Sequence, residues 1–501
     1  MNVSQAELLA SYPPECPVRP EAVQAALDKT ILIVADDDPT GTQAVHDVIA
    51  LTAWEVSDFA WAFAEITRLG AAPAIFVETN SRSLDPGAAA RCNAELVRNA
   101  VTAAREAGAK VRFASRSDST LRGHFPLETD VISDTLAKLG EPPVDAVLLA
   151  LAFPEAGRVT IGGTHYLRLA DGGLCGAGES EFARDATFGY RSSRLADYAS
   201  ERTGTHVEVT ELDLGTIRSG PDAVAAALRR LADRRTVAAD AVGEDDLRSL
   251  ALGVLCSGKN VLPRSGPPFI RALIGQAASA PLQADDIFSD QQQGAVGGLI
   301  VVGSHVGVSS RQLERLRTGA PNTVAIELRV ADLLGQAAGQ QSAPEQRGDT
   351  QPPVGEGIQK LAESIVSTLA ESNVVLFSSR EVVTGNDAAD SLEIARRVSG
   401  ALTEITAAVV DATRPRFVIA KGGITSSDLA RGGLRMRRAV VRGCLQPGII
   451  ALWQGADGPG AGIPYVVFAG NVGTDAALLE VVELLSSPTL VGGIGAEGEA
   501  K

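Results

Sequence analysis

The chain has 501 residues, of which 45% are apolar and 21% charged, and its formal net charge is −16. This length exceeds what a single ordinary hydrophobic core accommodates, so two or three domains are expected. The acidic balance argues against a general nucleic-acid binder, because such a protein needs a surface that neutralises phosphates.

Short apolar, β-branched runs alternate along the chain with stretches of helical spacing, such as Arg311–Arg317 and Thr474–Leu485. This alternation predicts βαβ units, and hence an α/β fold of two domains, each a mostly parallel sheet flanked by helices. The predicted strands are Ile31–Ala35, Ala74–Val77, Val111–Ala114, Ala146–Ala152, Gly298–Val302, Thr323–Leu328, Asn373–Phe377, Arg416–Ala420, Gly448–Trp453 and Tyr465–Phe468.

A largely polar region at about 281–293 separates two strand-rich halves of the chain. We therefore predict a lead segment at 1–29, a first domain at 30–290 and a second domain at 296–487. Within the second domain, residues 337–357 are rich in Gln, Pro and Gly, which predicts a mobile surface insertion. The Gly-rich residues 488–501 predict a flexible tail.

Carboxylates, hydroxyls and arginines follow the first four predicted strands. They occur at 36–41 (DDDPTG), 78–82 (ETNSR), 116–123 (RSDSTLRG) and 153–158 (FPEAGR). In open parallel sheets, ligands bind beyond the carboxyl ends of the strands. Arginine binds a carboxylate bidentately, and aspartate accepts hydrogen bonds from hydroxyls or takes a proton from one. This edge therefore suits a small polyhydroxylated acid.

Glycine and serine follow the strands of the second half, at 303–305 (GSH), 378–380 (SSR), 421–427 (KGGITSS) and 469–474 (AGNVGT). Glycine allows the backbone to approach a phosphate closely, and helix N-termini attract anions. The second half is therefore predicted to bind the phosphates of a nucleotide.

Each of these motifs alone is more often structural. A Gly-rich turn is usually a tight connection, and Asp38 or Thr40 could serve only to cap a helix. What favours a functional interpretation is the recurrence of such motifs at the ends of successive strands. The chain has no GxxxxGK[ST] or GxSxG motif, its GxGxxG match at 493–498 follows no predicted strand, and its five histidines lack metal-ligand spacing.

The five cysteines are far apart and form no CxxC pair, which is typical of reduced thiols. The first 30 residues show no basic segment followed by an apolar stretch, and the longest apolar runs are too short to span a bilayer. We therefore predict a cytoplasmic protein without a membrane or nucleic-acid partner.

Between residues 31 and 485 the motifs resemble those of the four-carbon acid sugar kinase family. The family's Asp-Asp-x-Thr-Gly corresponds to Asp37–Gly41, its Thr-x-Ser-Arg to Thr79–Arg82, and its Asp-Ser-Thr-Leu-Arg-Gly to Asp118–Gly123, while Phe153–Arg158 also fits. The resemblance implies an N-terminal domain for the sugar acid, a C-terminal domain for ATP and an active site in the cleft between them. It also implies phosphorylation of the terminal hydroxyl of threonate, erythronate or 3-oxo-tetronate, and a homodimer.

The chain departs from the family pattern at several positions. It has an additional acid at Asp36, Ser115-Arg116 where a Lys-Lys pair is usual, His124 where Asn is commoner and Ile424 in place of Glu. The segment Arg264–Arg271 resembles that of a divergent branch. These departures bear on the choice of substrate more than on the chemistry.

The attacking hydroxyl is expected to be oriented and deprotonated by Asp38, with Asp37 and Asp118 as alternatives. We expect Arg82 or Arg122 to hold the substrate carboxylate. The full predicted sugar-acid site comprises Thr40, Gly41, Ser81, Arg82, Arg116, Asp118, Ser119, Arg122 and Arg158. The resemblance places ATP on Ser304, Gly422, Gly423, Ile424, Thr425 and Gly470, and the surrounding turn adds Asn471 and Gly473. Mg²⁺ is expected with ATP, and the sequence does not indicate its protein ligands.

Two other functions are compatible with the same residues. The departures at Ile424 and Ser115 would suit a non-catalytic protein that binds or senses a sugar acid. The acidic edge of the first domain would also suit a sugar isomerase or aldolase.

Overall fold

The computed structural model describes residues 3–169, 171–288, 295–339, 354–380 and 388–487. The strands are β1 (Ile31–Asp36), β2 (Val48–Leu51), β3 (Ala74–Glu78), β4 (Val111–Arg116), β5 (Ala146–Ala150), β6 (Arg158–Ile161), β7 (Thr164–Arg168), β8 (Leu174–Gly176), β9 (Val209–Leu212), β10 (Arg235–Ala239), β11 (Val261–Ser265), β12 (Leu299–Val302), β13 (Thr323–Leu328), β14 (Asn373–Ser378), β15 (Val418–Lys421), β16 (Arg438–Gln446), β17 (Ile450–Gly455) and β18 (Pro464–Phe468).

The helices are α1 (Gln5–Leu9), α2 (Pro20–Leu27), α3 (Val56–Leu69), α4 (Pro86–Ala107), α5 (Leu127–Lys138), α6 (Leu195–Thr203), α7 (Leu214–Arg218), α8 (Pro221–Leu228), α9 (Glu244–Cys256), α10 (Pro267–Leu273), α11 (Ala284–Phe288), α12 (Gly307–Gly319), α13 (Val330–Gly339), α14 (Val354–Leu369), α15 (Ala388–Ala412), α16 (Gly423–Asp428) and α17 (Ala477–Ser486). Among the described residues, no helix combines the length and the apolar character needed to cross a membrane.

The chain forms two compact units. The first unit comprises Met1–Ser279 and Met436–Gly458, and the second comprises Ala280–Arg435 and Pro459–Lys501. In the first unit, strands run in the order β17-β16-β2-β3-β1-β4-β11-β5-β10-β9, beside a small antiparallel sheet of β6, β7 and β8. In the second unit the order is β13-β14-β12-β15-β18, with parallel neighbours throughout. The predicted α/β fold with mostly parallel sheets is confirmed.

Strand register brings the polar motifs of the first unit to one edge. Asp36, the last residue of β1, lies opposite Glu78 of β3 and Arg116 of β4, and Arg116 lies opposite Ser265 of β11. Because these four strands are parallel neighbours, their carboxyl ends form a continuous polar row.

Local sequence explains why helices and strands end where they do. Strand β1 is buried from its second residue onward, as expected of a central parallel strand. Helix α4 begins after Asp85, whose side chain accepts a hydrogen bond from the Ala88 amide, with Pro86 in the first turn. It ends at Gly108, which adopts the left-handed conformation with φ +64°.

The structure contains strands that the sequence pattern did not predict, among them β2, β11 and β16. Strand β11 includes Pro263, a residue that normally argues against a central strand. It is accommodated because β11 pairs with β4 only through Arg264 and Ser265.

Domain boundaries also differ from the predicted ones. The hairpin formed by β16 and β17 falls within the predicted second domain, yet it packs into the first unit because β16 pairs antiparallel with β2. The predicted lead segment contains α1 and α2. The predicted tail at 488–501 and the central part of the predicted insertion, 340–353, lie outside the described residues.

Candidate active site

The deepest part of the first-unit edge is a buried ion pair between Arg116 and Asp36. The Arg116 Nε atom donates to Asp36, and its Nη2 atom lies 3.3 Å from an Asp37 oxygen. Burial and the neighbouring carboxylates raise the pKa of Asp36, although Arg116 opposes this effect. A Cβ at Gly41 would lie only 2.2 Å from the Arg116 Nε atom, so glycine is required for the turn to pack on this pair.

Asp38 has two roles: it caps a short turn, and its carboxylate lies at the candidate site. It caps the short 3-10 turn Pro39–Ala44 by accepting hydrogen bonds from the Thr40 amide (2.9 Å) and the Thr40 hydroxyl (2.6 Å). Its other oxygen is paired with Arg82. Burial would raise the pKa of Asp38, but Arg82 and Arg116 outweigh burial and lower it. The carboxylate is therefore held ionised and in a fixed orientation.

Asp118 lies between two arginines. The Arg122 Nε atom donates to it at 2.6 Å, and the Arg82 Nη1 atom lies 3.8 Å away. These cations, and a hydrogen bond from Thr120, lower the pKa of Asp118 despite burial. Leu121 in the same loop has φ +70°, a conformation rarely adopted by a bulky residue, which indicates a strained backbone at this site.

A second, inner group of polar side chains surrounds Glu128, which the sequence analysis missed. Glu128 of α5 accepts hydrogen bonds from the hydroxyls of Ser81, Ser115 and Ser117. Burial, with Asp37 nearby, raises the pKa of Glu128 to about 7. Glu128 lies on a helix, so a search of strand ends could not find it.

Arg264 was singled out only as part of a divergent segment. Its guanidinium is buried, donates to the Arg122 carbonyl at 3.0 Å, and lies 5.2 Å from the centre of the Phe125 ring. It lies near the end of β11, a strand that was not predicted because it contains Pro263.

Asp37 differs from its neighbours because neither of its buried carboxylate oxygens has a hydrogen-bond partner among the described residues. Gly123 lies directly against it: a Cβ there would be 3.2 Å from an Asp37 oxygen. Its 1% exposure places Asp37 beneath the surface of the site, whereas the side chains of Asp38 and Asp118 are each 12% exposed.

The remaining predicted residues border this network. The Ser119 carbonyl accepts a hydrogen bond from buried His165 at 2.8 Å. Arg158 begins β6 and lies close enough for its charge to interact with Asp118 and Arg122. The structure thus brings the predicted sugar-acid residues into one region of the first unit.

In the second unit, the predicted ATP residues converge around Ser304. A Cβ at Gly470 would lie 2.6 Å from the Ser304 hydroxyl, and a Cβ at Gly422 would lie 3.2 Å from the Ser304 Cβ. Gly422 has φ +128°, which favours glycine, and Gly423 begins α16. The Thr425 hydroxyl contacts the same turn, since it would be 3.1 Å from a Gly422 Cβ.

Helix α12 holds the turn at 470–474 in place. Ser309 donates to the Gly470 carbonyl at 2.8 Å, and Gln312 donates to the carbonyls of Val472 and Thr474. Asn471 is exposed on this turn, and Gly473 has φ +81°. Ile424 is also exposed, at 58% of its surface. The turn therefore presents backbone groups and small side chains to solvent.

Two basic residues of the second unit were not among the predicted site residues. Lys421 is fully buried, donates to the Ala469 carbonyl at 2.6 Å and lies 3.7 Å from the centre of the Phe468 ring. Burial lowers its pKa to about 6. Arg380 donates to the Ser304 carbonyl at 2.6 Å. Both residues lie at strand ends, and that position could have identified them as site residues in the sequence. The sequence analysis assigned the glycine-rich motifs next to them instead.

Within the described ranges, no group of three or more histidine, cysteine, aspartate or glutamate side chains is arranged to hold a metal ion. Mg²⁺ bound to a nucleotide needs only one or two protein carboxylates, because phosphates and water fill the remaining positions.

Two family models match the chain. A sugar-binding N-terminal domain matches residues 32–273, and a nucleotide-binding C-terminal domain matches residues 299–478. Together the two matches span most of the chain and correspond to the two strand-end edges described above.

Curated relatives match about half of the chain. A D-erythronate kinase of Heliobacterium modesticaldum is 28% identical over 289 residues, covering 56% of this chain and 59% of that protein. A D-threonate kinase of Cupriavidus necator is 28% identical over 270 residues, covering 51% and 56%. The chain thus spans less than two thirds of the length of either relative.

A solved structure shares the fold over most of the chain. The crystal structure of a Haemophilus influenzae protein from a family of unknown function has a TM-score of 0.57 and 16% identity, covering 91% of this chain and 100% of that one. With both domain models matched in order, and with these relatives, the chain belongs to the four-carbon acid sugar kinase family.

Proposed function

We propose that this protein is an ATP-dependent kinase that phosphorylates the terminal hydroxyl of a four-carbon sugar acid of the threonate, erythronate or 3-oxo-tetronate class. The observation that carries the proposal is the ion-paired network of Asp38, Arg82 and Asp118 at the strand ends of a domain matched to sugar binding. Such a network offers ionised acceptors for the hydroxyls of a sugar acid, and the charge of Arg158 lies near it for the carboxylate of the acid. The glycine-lined turn of the second unit supports a nucleotide as the other substrate.

In the proposed reaction, Asp38 accepts the proton of the attacking hydroxyl as the oxygen bonds to the γ-phosphorus of ATP, and ADP leaves. Arg82 and the Thr40 hydrogen bonds keep the carboxylate ionised and oriented, so that it needs no rearrangement to act. An ionised carboxylate has about four acceptor positions, so these contacts leave a lone pair for the substrate.

The second unit is proposed to bind the phosphates through backbone N–H groups near Gly422, Gly423 and Gly470, with contacts from Ser304 and Thr425. Ile424, Asn471 and Gly473 complete the proposed nucleotide surface. Mg²⁺ bound to ATP would neutralise phosphate charge, with Asp118 as a carboxylate available to it. Cytoplasmic location and homodimer formation remain predictions.

The proposal is tested by ADP release from ATP and Mg²⁺ with a panel of four-carbon sugar acids, followed by location of the phosphate on the product. A kinase releases ADP only when its acid is present. Binding of an acid without ADP release would instead indicate a sensor, and conversion of the acid without ATP would indicate an isomerase or aldolase.

The role of Asp38 is tested by the Asp38→Asn variant on the best acid. We expect turnover to fall roughly 100-fold or more, the range that loss of a general base produces. Asp28→Asn, which changes an exposed aspartate paired with Lys110, serves as the matched control. Near-normal turnover in the Asp38 variant would remove Asp38 from the role of base.

A further inference from the structure

The arginines predicted to bind substrate differ in whether they already have a carboxylate partner. Arg116 is paired with Asp36, and Arg82 with Asp38 and Asp118. An arginine in this state has its charge compensated before any ligand arrives.

Arg122 is compensated in the same way. It binds Asp118 through Nε at 2.6 Å, and its Nη1 atom lies 3.5 Å from Asp185. A substrate carboxylate approaching Arg82 or Arg122 would therefore meet the negative charge of Asp118 as well as the arginine. This repulsion makes either residue a poor sole anchor for an acid.

Arg158 is the exception among these four. Throughout the part of the chain that the structure describes, its guanidinium forms neither an ion pair nor a side-chain hydrogen bond, yet the residue is half-buried at the start of β6. Burial lowers the pKa of Arg158, while Asp118 acts to raise it and Arg122 to lower it. Leaving a partly desolvated cation without a partner is unfavourable, and a bound anion would relieve that cost.

Arg264 also lacks a carboxylate partner among the described residues, but it does not offer a comparable site. The residue is 1% exposed, and its guanidinium packs near the rings of Phe125 and Tyr198 and donates to the Arg122 carbonyl. A ligand could not reach it without displacing these contacts.

We infer that Arg158 is the residue that recognises the carboxylate of the sugar acid and so selects acids over neutral polyols. The inference rests on the proposed kinase function and assigns to Arg158 the contact that the sequence placed on Arg82 or Arg122. In this arrangement, Asp38 and Asp118 are left free to accept hydrogen bonds from the hydroxyls of the same substrate.

The test compares Arg158→Gln, Arg158→Lys and the wild-type protein on erythronate and threonate and on the uncharged polyols erythritol and threitol. Steady-state kinetics give KM and kcat, and titration calorimetry gives the affinity for each acid without requiring turnover. Arg168→Gln is the matched control, because Arg168 lies on the neighbouring strand β7 but is exposed and donates a hydrogen bond to Gln5.

For Arg158→Gln we expect the KM and the dissociation constant for the acid to rise about 100-fold, with a much smaller change in kcat and in the constants for the polyols. Arg158→Lys should recover part of the affinity, since it keeps the charge but loses the bidentate geometry. Arg168→Gln should match the wild type, and Arg158→Gln should melt no lower than the wild type, because it removes a partly desolvated charge.

Different failures have different meanings. If the wild type phosphorylates an acid and Arg158→Gln binds that acid equally well, the inference about Arg158 is wrong and the kinase proposal stands. If the wild type binds an acid without transferring phosphate, and Arg158→Gln loses that binding, the kinase proposal fails and the role of Arg158 stands. If the wild type neither binds nor phosphorylates any acid, both are wrong.

Discussion

The strand-end edges of the two units present different chemistry to a ligand. In the first unit, arginines and aspartates alternate and compensate one another, as in the pairs Arg116–Asp36 and Arg82–Asp38. In the second unit, the turn around Ser304 is built from glycines and hydroxyls, and the nearby Lys421 is buried. The difference teaches that ion pairs between side chains fix the arrangement of the first edge. In the second edge, the absence of side chains at glycine lets backbone segments pack closely together.

If charge compensation orders the first edge, removing one partner of its most buried pair should have the largest effect. We expect Asp36→Ala to lower the free energy of unfolding by at least about 3 kcal/mol, because it leaves the Arg116 guanidinium buried with less compensation. Denaturant unfolding followed by circular dichroism measures this change.

The double variant Asp36→Ala with Arg116→Met provides the control for that measurement. Replacing both members of a buried pair with apolar groups is far less costly than removing one, so the double variant should regain a large part of the lost stability. Equal losses in the single and double variants would show that the pair does not order this edge.

An intermediate effect is expected from Lys421 in the second unit. Its pKa is about 6 in the folded protein against an ordinary 10.5, so unfolding takes up a proton between these values. The free energy of unfolding should therefore fall as pH is lowered, by about 2 kcal/mol between pH 8 and pH 6.5.

The Lys421→Met variant isolates this contribution from that of other titrating groups. It lacks the ammonium, so its unfolding free energy should depend less on pH over the same interval than that of the wild type. Parallel pH profiles for the two proteins would contradict the interpretation of Lys421 as a buried, neutral amine.

The smallest effect is expected where the second edge depends on the absence of a side chain. A Cβ at Gly470 would crowd the Ser304 hydroxyl, so Gly470→Val should raise the KM for ATP about tenfold and leave the KM for the acid unchanged. Gly400→Ala, at a position with open space around it, is the control in the same unit. If Gly470→Val changed only the KM for the acid, the proposal that the second edge binds ATP and the first edge binds the acid would be wrong.

Much of the fold could be predicted because the strands of parallel sheets are continuous apolar runs. Ile31–Ala35 and Asn373–Phe377 are examples in which the observed strand extends the predicted one by a single residue. Strand β16 was missed because Arg442 and Gly443 interrupt its apolar residues, and β11 because of Pro263. The sequence pattern of one strand cannot show which neighbouring strand pairs with it and so stabilises it despite such interruptions.

The candidate site was predicted wherever a motif directly follows a strand. Asp36 and Arg116 were each noted as departures from the family pattern, but their contact emerged only from strand register. Glu128 lies on a helix, and the partners of Arg82 and Arg122 come from separate loops. Sequence therefore indicated which side chains collect at the edge but not which charges are already compensated.

The hairpin of β16 and β17 has a practical consequence for dissecting the molecule. Because this hairpin pairs with β2, no single cut in the chain separates the two units, and a fragment ending at Ser279 would leave one side of β2 unpaired. An exposed strand edge of this kind promotes aggregation. A soluble, independently folded first unit would therefore require Met436–Gly458 to be grafted back through a designed linker, and the second unit would require a new join between Arg435 and Pro459.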